Sequence, residues 1–355
     1  MNNWNHFLLS EGARPHAERL VDFGQTLTAR QLADGFVAPI GGLGLIGVGG
    51  DDAATFLHGQ LTNDVEHLTV AEARLAAYCT PKGRVMASFL MWRNESMIFL
   101  QLPAELQAPL QKRLQMFVLR AKAKLADVSA APDSEVVLGL GGAKAEAILA
   151  ARFGAVPAAP YGKLDHALGT LIRLADAFGA PRYQWLTSQD TAQSAWPQLR
   201  AGLCAAGDDA WRLAAVHAGV PQITAATQDQ FVPQMINFEL LGAVNFKKGC
   251  YPGQEIVARS QYLGKLKRRT TLVAIADPAA KPGDEVFALA DPAQPCGMVV
   301  NVAPNGLGGV DALVEMKLAA IGDGAALAGS VRLGSTEGAP LQFLAMPYAL
   351  DALDL

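Results

Sequence analysis

Residues 247–259 read KKGCYPGQEIVAR. Close to two glycines, this segment contains a thiol, two ammonium groups, a phenol, an amide and a carboxylate. Glycine readily takes backbone conformations with φ > 0, so Gly249 and Gly253 predict a tight loop. The apolar pair Ile256 and Val257 predicts the start of a strand that would hold this loop. Lysines beside a thiol favour its reactive thiolate form by Coulomb attraction. The segment therefore predicts a reactive Cys250, and the alternative is a cysteine that merely packs.

The composition is that of a well-buried globular protein with many turns. At 355 residues the chain exceeds one ordinary core, so we expect two or three domains. Its 51% hydrophobic and 17% charged residues exclude a disordered chain or a coiled coil. A net charge of −4 argues against a broad nucleic-acid-binding surface, and we expect no direct nucleic-acid partner.

Targeting signals and cysteine spacing bear on the compartment. The N-terminal residues lack the apolar core of a signal peptide, and no apolar run reaches the roughly 18 residues that cross a membrane. We therefore expect a cytoplasmic protein with no membrane partner, in which disulfides are disfavoured. No C-x-x-C pair is present, so we expect no metal site made by this chain alone. The four cysteines are Cys79, Cys204, Cys250 and Cys296.

Hydrophobic runs divide the chain into three regions. Up to residue 132, four strand-like runs and a helix that starts after Pro103 predict an α+β region, with Pro81-Lys82-Gly83 as a hairpin turn. After a plausible boundary at Pro132, residues 133–203 predict a β-α-β-β-α order, which is typical of a ferredoxin-like unit. Beyond residue 263, short apolar runs split by Pro, Gly, Asp and Asn predict a small antiparallel barrel or sandwich.

Several groups outside the cysteine segment have two interpretations each. A Cys–His site needs a histidine near Cys250, but all six histidines are distant in sequence, and we interpret His58 and His217 as packing or surface residues. Lys82 and Arg84 predict either a solvated turn or an anion site. The basic cluster after the loop is either a solvated strand edge or a patch for an anionic ligand or nucleic acid. Its members are Arg259, Lys265, Lys267, Arg268 and Arg269.

Three motifs together resemble one known family. Lys248-Gly249-Cys250-Tyr251-x-Gly253-Gln254-Glu255 resembles the K-G-C-Y-x-G-Q-E signature of the YgfZ-type folate-binding proteins. These are relatives of the glycine-cleavage T-protein, an aminomethyltransferase, and their mitochondrial members assist iron–sulfur cluster assembly. Residues 56–65, FLHGQLTNDV, are similar to the family stretch F-L-x-G-Q-x-T-x-D-V, and residues 81–84 resemble its x-K-G-K turn. The resemblance runs from about residue 43 to about residue 269.

The resemblance implies an α+β fold of three lobes, as in the T-protein. Residues 1–132, completed by about 204–262, would form an N-terminal α+β folate-binding domain. Residues 133–203 would form a ferredoxin-like domain, and residues 263–355 a small C-terminal β-barrel. This division agrees with the three regions read from the hydrophobic runs.

The resemblance also implies tetrahydrofolate as cofactor, near the central opening between the lobes and faced by the Cys250 thiol. Trp211 corresponds to an aromatic residue beside the pterin, where stacking supplies apolar contact. A second aromatic of the family falls at Leu43, and His217 stands where T-protein relatives carry a glutamate that grips the pterin. The candidate cations for the anionic cofactor are Lys82, Arg84 and Arg259.

The function that the resemblance implies is support of iron–sulfur cluster synthesis or repair, with indirect effects on tRNA modification. Cys250 would be the functional thiol and Lys248 would favour its thiolate. The T-protein places an aspartate near the folate amine, whereas residues 83–88, GRVMAS, contain no carboxylate, so glycine cleavage is not expected. An aminomethyltransferase-like enzyme and an interaction module with incidental folate binding remain as alternatives. Expected partners are reduced folate and assembly factors or client enzymes, and the loop would be shaped by Gly249, Tyr251, Gly253, Gln254 and Glu255.

Overall fold

The computed structural model describes residues 3–16, 19–131, 136–263, 266–321 and 330–350. Helices and strands mix along the whole chain, and three large sheets organise them. The elements before residue 132 are α1 (Asn3–Ser10), β1 (Arg14–His16), β2 (Arg19–Asp22), α2 (Ala29–Asp34), β3 (Phe36–Pro39), β4 (Leu43–Gly49), α3 (Ala53–His58), β5 (Ala73–Cys79), β6 (Val85–Arg93), β7 (Met97–Pro103), α4 (Ala104–Gln115) and β8 (Lys124–Asp127).

The remaining elements follow in two groups. The first group is β9 (Val136–Gly141), α5 (Ala145–Phe153), β10 (Lys163–His166), β11 (Gly169–Ala177), β12 (Ala180–Thr187), α6 (Gln189–Gly202), β13 (Cys204–Ala205) and α7 (Asp208–His217). The second group is α8 (Gln254–Tyr262), β14 (Arg268–Ile275), β15 (Glu285–Ala288), β16 (Gly297–Pro304), β17 (Val310–Lys317), α9 (Leu318–Ile321), β18 (Val331–Leu333) and β19 (Leu341–Phe343). Two short 3-10 turns, Ala225–Thr227 and Pro233–Ile236, lie between these groups.

The first sheet confirms the strands predicted before residue 103. Its order is β5-β6-β7-β4-β8, and all of its neighbours are antiparallel. The predicted hairpin joins β5 to β6, with Gly83 at φ +72° in its turn. Helix α4 begins directly after Pro103 and buries Leu106, Leu110 and Leu114. The strands β4, β5 and β6 are buried along almost their whole length, as continuous apolar runs predict, and the four-residue spacing of the leucines is that of one helix face.

The second sheet contains the elements predicted for residues 133–203 as β9, α5, β11, β12 and α6, with one strand that was not predicted, β10, between α5 and β11. Its strand order is β10-β11-β12-β9-β3-β13, so it also takes in two short strands from outside that range. Helices α5 and α6 cover one face, where Trp185 and Trp196 are fully buried. The predicted boundary at residues 132–134 lies outside the described residues.

The third sheet is the predicted C-terminal barrel. Its strands follow the order β18-β15-β16-β17-β14-β19, and β18 also contacts β19, which nearly closes the sheet on itself. Valines fill its interior, among them Val273, Val286, Val299 and Val314. Sequential antiparallel pairing of short strands produces this closure and leaves few open edges.

Helix α7 lies where the three sheets meet. Trp211 packs against Gly139 of the second sheet, and the Arg212 guanidinium donates to the Val302 carbonyl of the barrel at 2.7 Å. Apolar side chains from all three sheets form one continuous core around this helix. Residues of α7 are therefore placed to face any cavity between the sheets. Among the described residues, no helix is long and apolar enough to cross a membrane.

Candidate functional site

The cysteine loop lies against the C-terminal end of α3. The Lys248 ammonium donates hydrogen bonds to the carbonyl oxygens of His58 and, at 2.9 Å, of Leu61. The same ammonium lies 4.8 Å from the centre of the Tyr251 ring, a cation–π contact. Lys248 therefore anchors the loop, and the Cys250 side chain between these two residues is exposed.

The segment after the loop is a helix, so the predicted strand at Ile256 and Val257 is wrong. Helix α8 begins at Gln254, directly after Gly253 at φ +82°. Val257 is fully buried, whereas Ile256 is 39% exposed. A strand buried on both faces would hide both side chains, but one helix face hides only one of two adjacent residues. A short apolar pair does not distinguish these two cases.

Two glycines join the loop to the β5–β6 turn. A Cβ on Gly253 would lie 2.4 Å from the Thr80 oxygen and 2.7 Å from the Gly83 Cα. Gly83 in turn lies against Ile256, whose Cβ would be 3.0 Å from an added side-chain carbon. Both backbones approach more closely than any side chain would allow. The structure thus brings together the K-G-C-Y-x-G-Q-E loop and the Pro-Lys-Gly-Arg turn.

The electrostatics of the loop centre on Lys248. Burial lowers the pKa of its ammonium to about 8, while the charges of Asp64, Cys250 and Glu66 act in the opposite direction. Burial, together with Cys79, raises the pKa of the Tyr251 phenol. Its hydroxyl is buried and has no hydrogen-bond partner in the described part of the chain. Lys248 is consequently charged at neutral pH but titrates only slightly above it.

His58 lies beside the loop, which sequence reasoning did not anticipate. Its Nε2 atom would be 3.6 Å from a Cβ placed on Gly249, and its Nδ1 atom lies 3.3 Å from an Asp64 carboxylate oxygen. Burial raises the pKa of Asp64, but hydrogen bonds and charge from His67, with the charge of His58, outweigh it and lower the pKa overall. The FLHGQLTNDV stretch could have indicated that His58 belongs to the site, because both His58 and Asp64 lie within it.

A separate cavity of about 700 Å³ lies between the first and second sheets, α7 and the barrel. Trp211 and Leu43 line it. Among the described residues that line this cavity there is no member of the cysteine loop, so the expectation that the thiol faces it is not met. Leu75 lines the cavity and Thr80 contacts Gly253, so the two places are about 17 Å apart along the β5–β6 hairpin.

The other candidate cofactor residues also lie away from the cavity lining. Lys82 is exposed at the hairpin turn, and Arg84 donates to the Gln230 carbonyl. Arg259 is exposed on α8. His217 makes a 2.6 Å contact with an Asp311 carboxylate oxygen of the barrel. The structure therefore groups Trp211 and Leu43 in one place and the turn and loop residues in another.

Two members of the predicted basic cluster are internal ion-pair partners. Arg268 pairs with Glu315, and Arg269 is buried in a pair with Glu239. Lys265 lies outside the described residues. The cations that are exposed in the described part of this cluster are Arg259 and Lys267. Arg269 thus joins the barrel to the segment that contains Glu239, whereas Arg268 joins two strands within the barrel.

The inner wall of the cavity is polar on one side. Strand β12 turns Arg182 and Gln184 toward the cavity and Tyr183 and Trp185 toward the opposite core. The Arg182 guanidinium stacks 4.8 Å from the centre of the Trp211 ring. Burial lowers the pKa of Arg182 to about 10, and it remains charged at neutral pH.

Hydrogen-bonding groups in this wall suit a heteroaromatic ligand with polar edges. The Tyr161 hydroxyl and the Gln184 Nε2 atom are buried without a hydrogen-bond partner in the described residues, and both residues line the cavity. Carboxylates of Asp208 and Glu105 also line it and accept from backbone N–H groups. A flat apolar surface with a few convergent polar groups is what ligand pockets of about 300–1,000 Å³ provide. The lining therefore fits a folate-sized molecule.

Metal binding has no comparable support. Within the described ranges, no three or more His, Cys, Asp and Glu side chains converge as metal ligands would. All four cysteines are free thiols, with Cys204 and Cys250 exposed and Cys79 and Cys296 buried. Burial raises the pKa of Cys79 to about 12, which makes its thiol unreactive at neutral pH.

Sequence comparison finds relatives of this chain. No protein-family model matches the chain. The tRNA-modifying protein YgfZ of Escherichia fergusonii is 33% identical over 226 residues, which cover 63% of this chain and 67% of that protein. The tRNA-modifying protein YgfZ of Klebsiella pneumoniae is 32% identical over 241 residues, covering 67% and 72%.

Among solved structures, the glycine cleavage system aminomethyltransferase T from Bartonella henselae superposes with a TM-score of 0.75. The match covers 98% of this chain and 97% of that chain at 16% sequence identity. At this identity the similarity concerns the fold alone. It confirms the predicted α+β fold of the T-protein type, with its C-terminal barrel.

Proposed function

Because this chain belongs to the YgfZ family, we propose that it is a cytoplasmic tetrahydrofolate-binding protein that supports iron–sulfur cluster synthesis or repair. Through clusters in client enzymes it affects tRNA modification, the role that the name of its relatives states. The observation that carries the folate assignment is the cavity of about 700 Å³ with Trp211 and unpaired buried polar atoms in its wall.

Apolar and amide side chains of the cavity wall would hold the folate. Trp211, Leu43 and Phe89 offer apolar surface to a flat ring, and Gln101 offers an amide group to its polar edge. The cofactor, when bound, supplies a reduced pterin able to carry a one-carbon unit. Trp211 of α7 and Arg182 of β12 are both buried and stack on each other. Together they shield one side of the cavity from water.

The cavity wall argues against aminomethyl transfer. Ser88 lies where the strand after the Pro-Lys-Gly-Arg turn reaches the cavity, and its hydroxyl accepts from the Ile223 N–H at 2.9 Å. A hydroxyl engaged in this way is a poor substitute for the carboxylate that would act on a folate amine. The proposal is therefore a binding and support role, with no glycine-cleavage chemistry.

The cysteine loop supplies the second part of the proposal. Cys250 is exposed and lies beside the half-buried Lys248 ammonium, so its thiol is accessible to a macromolecular partner. Thiolates are the form that attacks disulfides, binds metals and is oxidised. Cys250 acts on client proteins or assembly factors from the surface, while folate occupies the cavity.

Titration of tetrahydrofolate into the protein tests the folate assignment. We expect saturable binding by calorimetry and a change in tryptophan fluorescence that is lost in Trp211→Phe. Trp196→Phe is the matched control, because Trp196 of α6 is buried in the core of the second sheet and does not line the cavity. If calorimetry shows no saturable heat with the wild-type protein, the folate assignment is refuted.

A complementation experiment tests the thiol. In a cell that lacks its own copy, we expect Cys250→Ala to lose the activity of cluster-dependent tRNA-modifying enzymes under oxidative stress. Cys204→Ala, which removes the other exposed cysteine, should retain it. Equal activity in the two variants would contradict the proposed role of Cys250.

A further inference from the structure

Arg182 is a buried cation without an ion-pair partner among the described residues. Its side chain is only 3% exposed and its Nε atom donates to the Ala175 carbonyl at 3.2 Å. A guanidinium has five N–H donors, and proteins bury such a charge only when it is paired. The Trp211 ring stacked against it offers a π-face but no acceptor for these N–H groups.

Two further donors without partners lie in the same wall. The Tyr161 hydroxyl and the Gln184 Nε2 atom are buried and lack hydrogen-bond partners within the described part of the chain. Gln184 lies two residues from Arg182 on the same face of β12, and the charge of Arg182 acts on Tyr161. Tyr161 also has φ +65°, an uncommon conformation for a residue with a side chain. Strain of this kind clusters at ligand sites.

The nearby carboxylates have other partners. Asp176 pairs with the Arg173 guanidinium at 3.0 Å. Asp208 accepts from the Gly41 N–H at 3.2 Å, and Glu105 accepts from the Ala225 N–H at 2.8 Å. The charge of Asp176 acts on Arg182, but no ion-pair contact joins Arg182 to a carboxylate among the described residues. The wall thus offers three donor groups and one positive charge to the cavity.

We propose that Arg182, Tyr161 and Gln184 form a carboxylate-binding subsite on the β12 side of the cavity. A carboxylate accepts two parallel bonds from a guanidinium and a further bond from a hydroxyl or amide. Resting on the proposed function, its source is the glutamyl tail of tetrahydrofolate; a separate small carboxylic acid has the same chemistry. A pterin edge also needs acceptors for its own N–H groups, and these three side chains present unused donors.

Calorimetry with four probes distinguishes the sources: tetrahydrofolate, p-aminobenzoyl-glutamate, 6-methyltetrahydropterin and glutarate. We expect Arg182→Met to weaken binding of tetrahydrofolate and p-aminobenzoyl-glutamate by about 30-fold, and of 6-methyltetrahydropterin by less than about twofold. Tyr161→Phe should weaken the first two by about tenfold. Binding of glutarate but not p-aminobenzoyl-glutamate, dependent on Arg182, would support the subsite with a separate acid as its ligand.

Melting temperature separates a binding role from a structural one. Tyr161→Phe removes a hydroxyl without a partner, so the ligand-free protein should melt at the same temperature or higher. Tyr183→Phe is the matched control, because its hydroxyl donates to Glu146 at 2.7 Å on the opposite face. That variant should melt lower and bind all four probes as the wild type does.

The remaining outcomes decide between the two proposals. If tetrahydrofolate fails to bind but glutarate binds through Arg182, the folate assignment fails and the subsite stands. If tetrahydrofolate binds and Arg182→Met and Tyr161→Phe leave every affinity unchanged, the subsite is refuted and the folate assignment stands. If Arg182→Met weakens the binding of tetrahydrofolate and of 6-methyltetrahydropterin equally, the subsite is also refuted, because the donors would then bind the pterin ring and not a carboxylate. No binding of any probe refutes both.

Discussion

At the scale of residues, two cysteine–lysine pairs allow a direct comparison. Cys204 and Cys250 are both exposed, and each lies near a lysine whose charge it influences. Lys144, beside Cys204, is exposed and paired with Asp34 at 2.7 Å. Lys248, beside Cys250, is half-buried and bonded to carbonyl oxygens. A charge in a partly desolvated environment acts on a neighbouring group more strongly than a charge that is solvated and neutralised by an ion pair.

We therefore predict that Lys248→Met slows alkylation of Cys250 by iodoacetamide. At about 1 kcal/mol for a partly exposed pair, the loss near neutral pH is about fivefold. The ammonium loses its proton as pH rises through about 8, so the ratio of wild-type to variant rates should fall toward one above that pH. Lys247→Met, one residue away and exposed, is the control and should react as the wild type does. A ratio that does not change with pH would contradict the assignment of Lys248.

At the scale of elements, the loop and α8 depend on a backbone conformation at Gly253. The residue has φ +82° and faces the Thr80 carbonyl and the Gly83 backbone, so an added Cβ meets both strain and overlap. The short apolar pair after the loop predicted a strand, but a helix that starts at this glycine keeps the loop close to the hairpin turn.

Gly253→Ala should accordingly lower the free energy of unfolding by about 3 kcal/mol, combining conformational strain with overpacking. Gly154→Ala is the matched control, since Gly154 has φ +76° with open space around its Cβ position. That variant should lose only about 1 kcal/mol. Urea unfolding measures both values, and equal losses would show that the contact with Thr80 is unimportant.

At the scale of the whole molecule, polar pairs hold the barrel against the other two sheets. Arg269 at the start of the barrel pairs with Glu239, and both side chains are buried. Burial raises the pKa of Glu239, and the charge of Arg269 and its hydrogen bond oppose this rise. His217 of α7 and Asp311 of the barrel form a second contact. The connection between β14 and β15 contributes Lys281 to the cavity lining.

We predict that Arg269→Met costs about 3–5 kcal/mol of unfolding free energy, because it leaves the Glu239 carboxylate buried and unpaired. Without Arg269 the pKa of Glu239 rises further. The native state then binds a proton that the unfolded state releases, so the loss should grow as pH rises through that pKa. Lys317→Met, which breaks the 3.8 Å exposed pair with Asp291, is the control and should cost less than about 1 kcal/mol. Denaturant unfolding across pH 5–8 (roughly the window of greatest stability) measures both.

Local sequence determined much of this protein. Short continuous apolar runs bounded by turn residues determined β4, the β5–β6 hairpin and the barrel strands, because strands buried on both faces need apolar side chains at almost every position. The glycines of the K-G-C-Y-x-G-Q-E segment predicted a tight loop because glycine takes φ > 0 readily, and the resemblance of this segment to a family signature implied the T-protein fold.

Only the tertiary structure decided which distant residues meet. Strand order places Arg182, Gln184 and Tyr161 in one wall, although each looks ordinary in its own strand or loop. The packing of α3 brings His58 to the cysteine loop, and the length of the hairpin separates that loop from the cavity. Burial without a partner is a property of three-dimensional neighbours, and a linear pattern records only the neighbours along the chain. The polar wall of the cavity therefore became visible only in the folded chain.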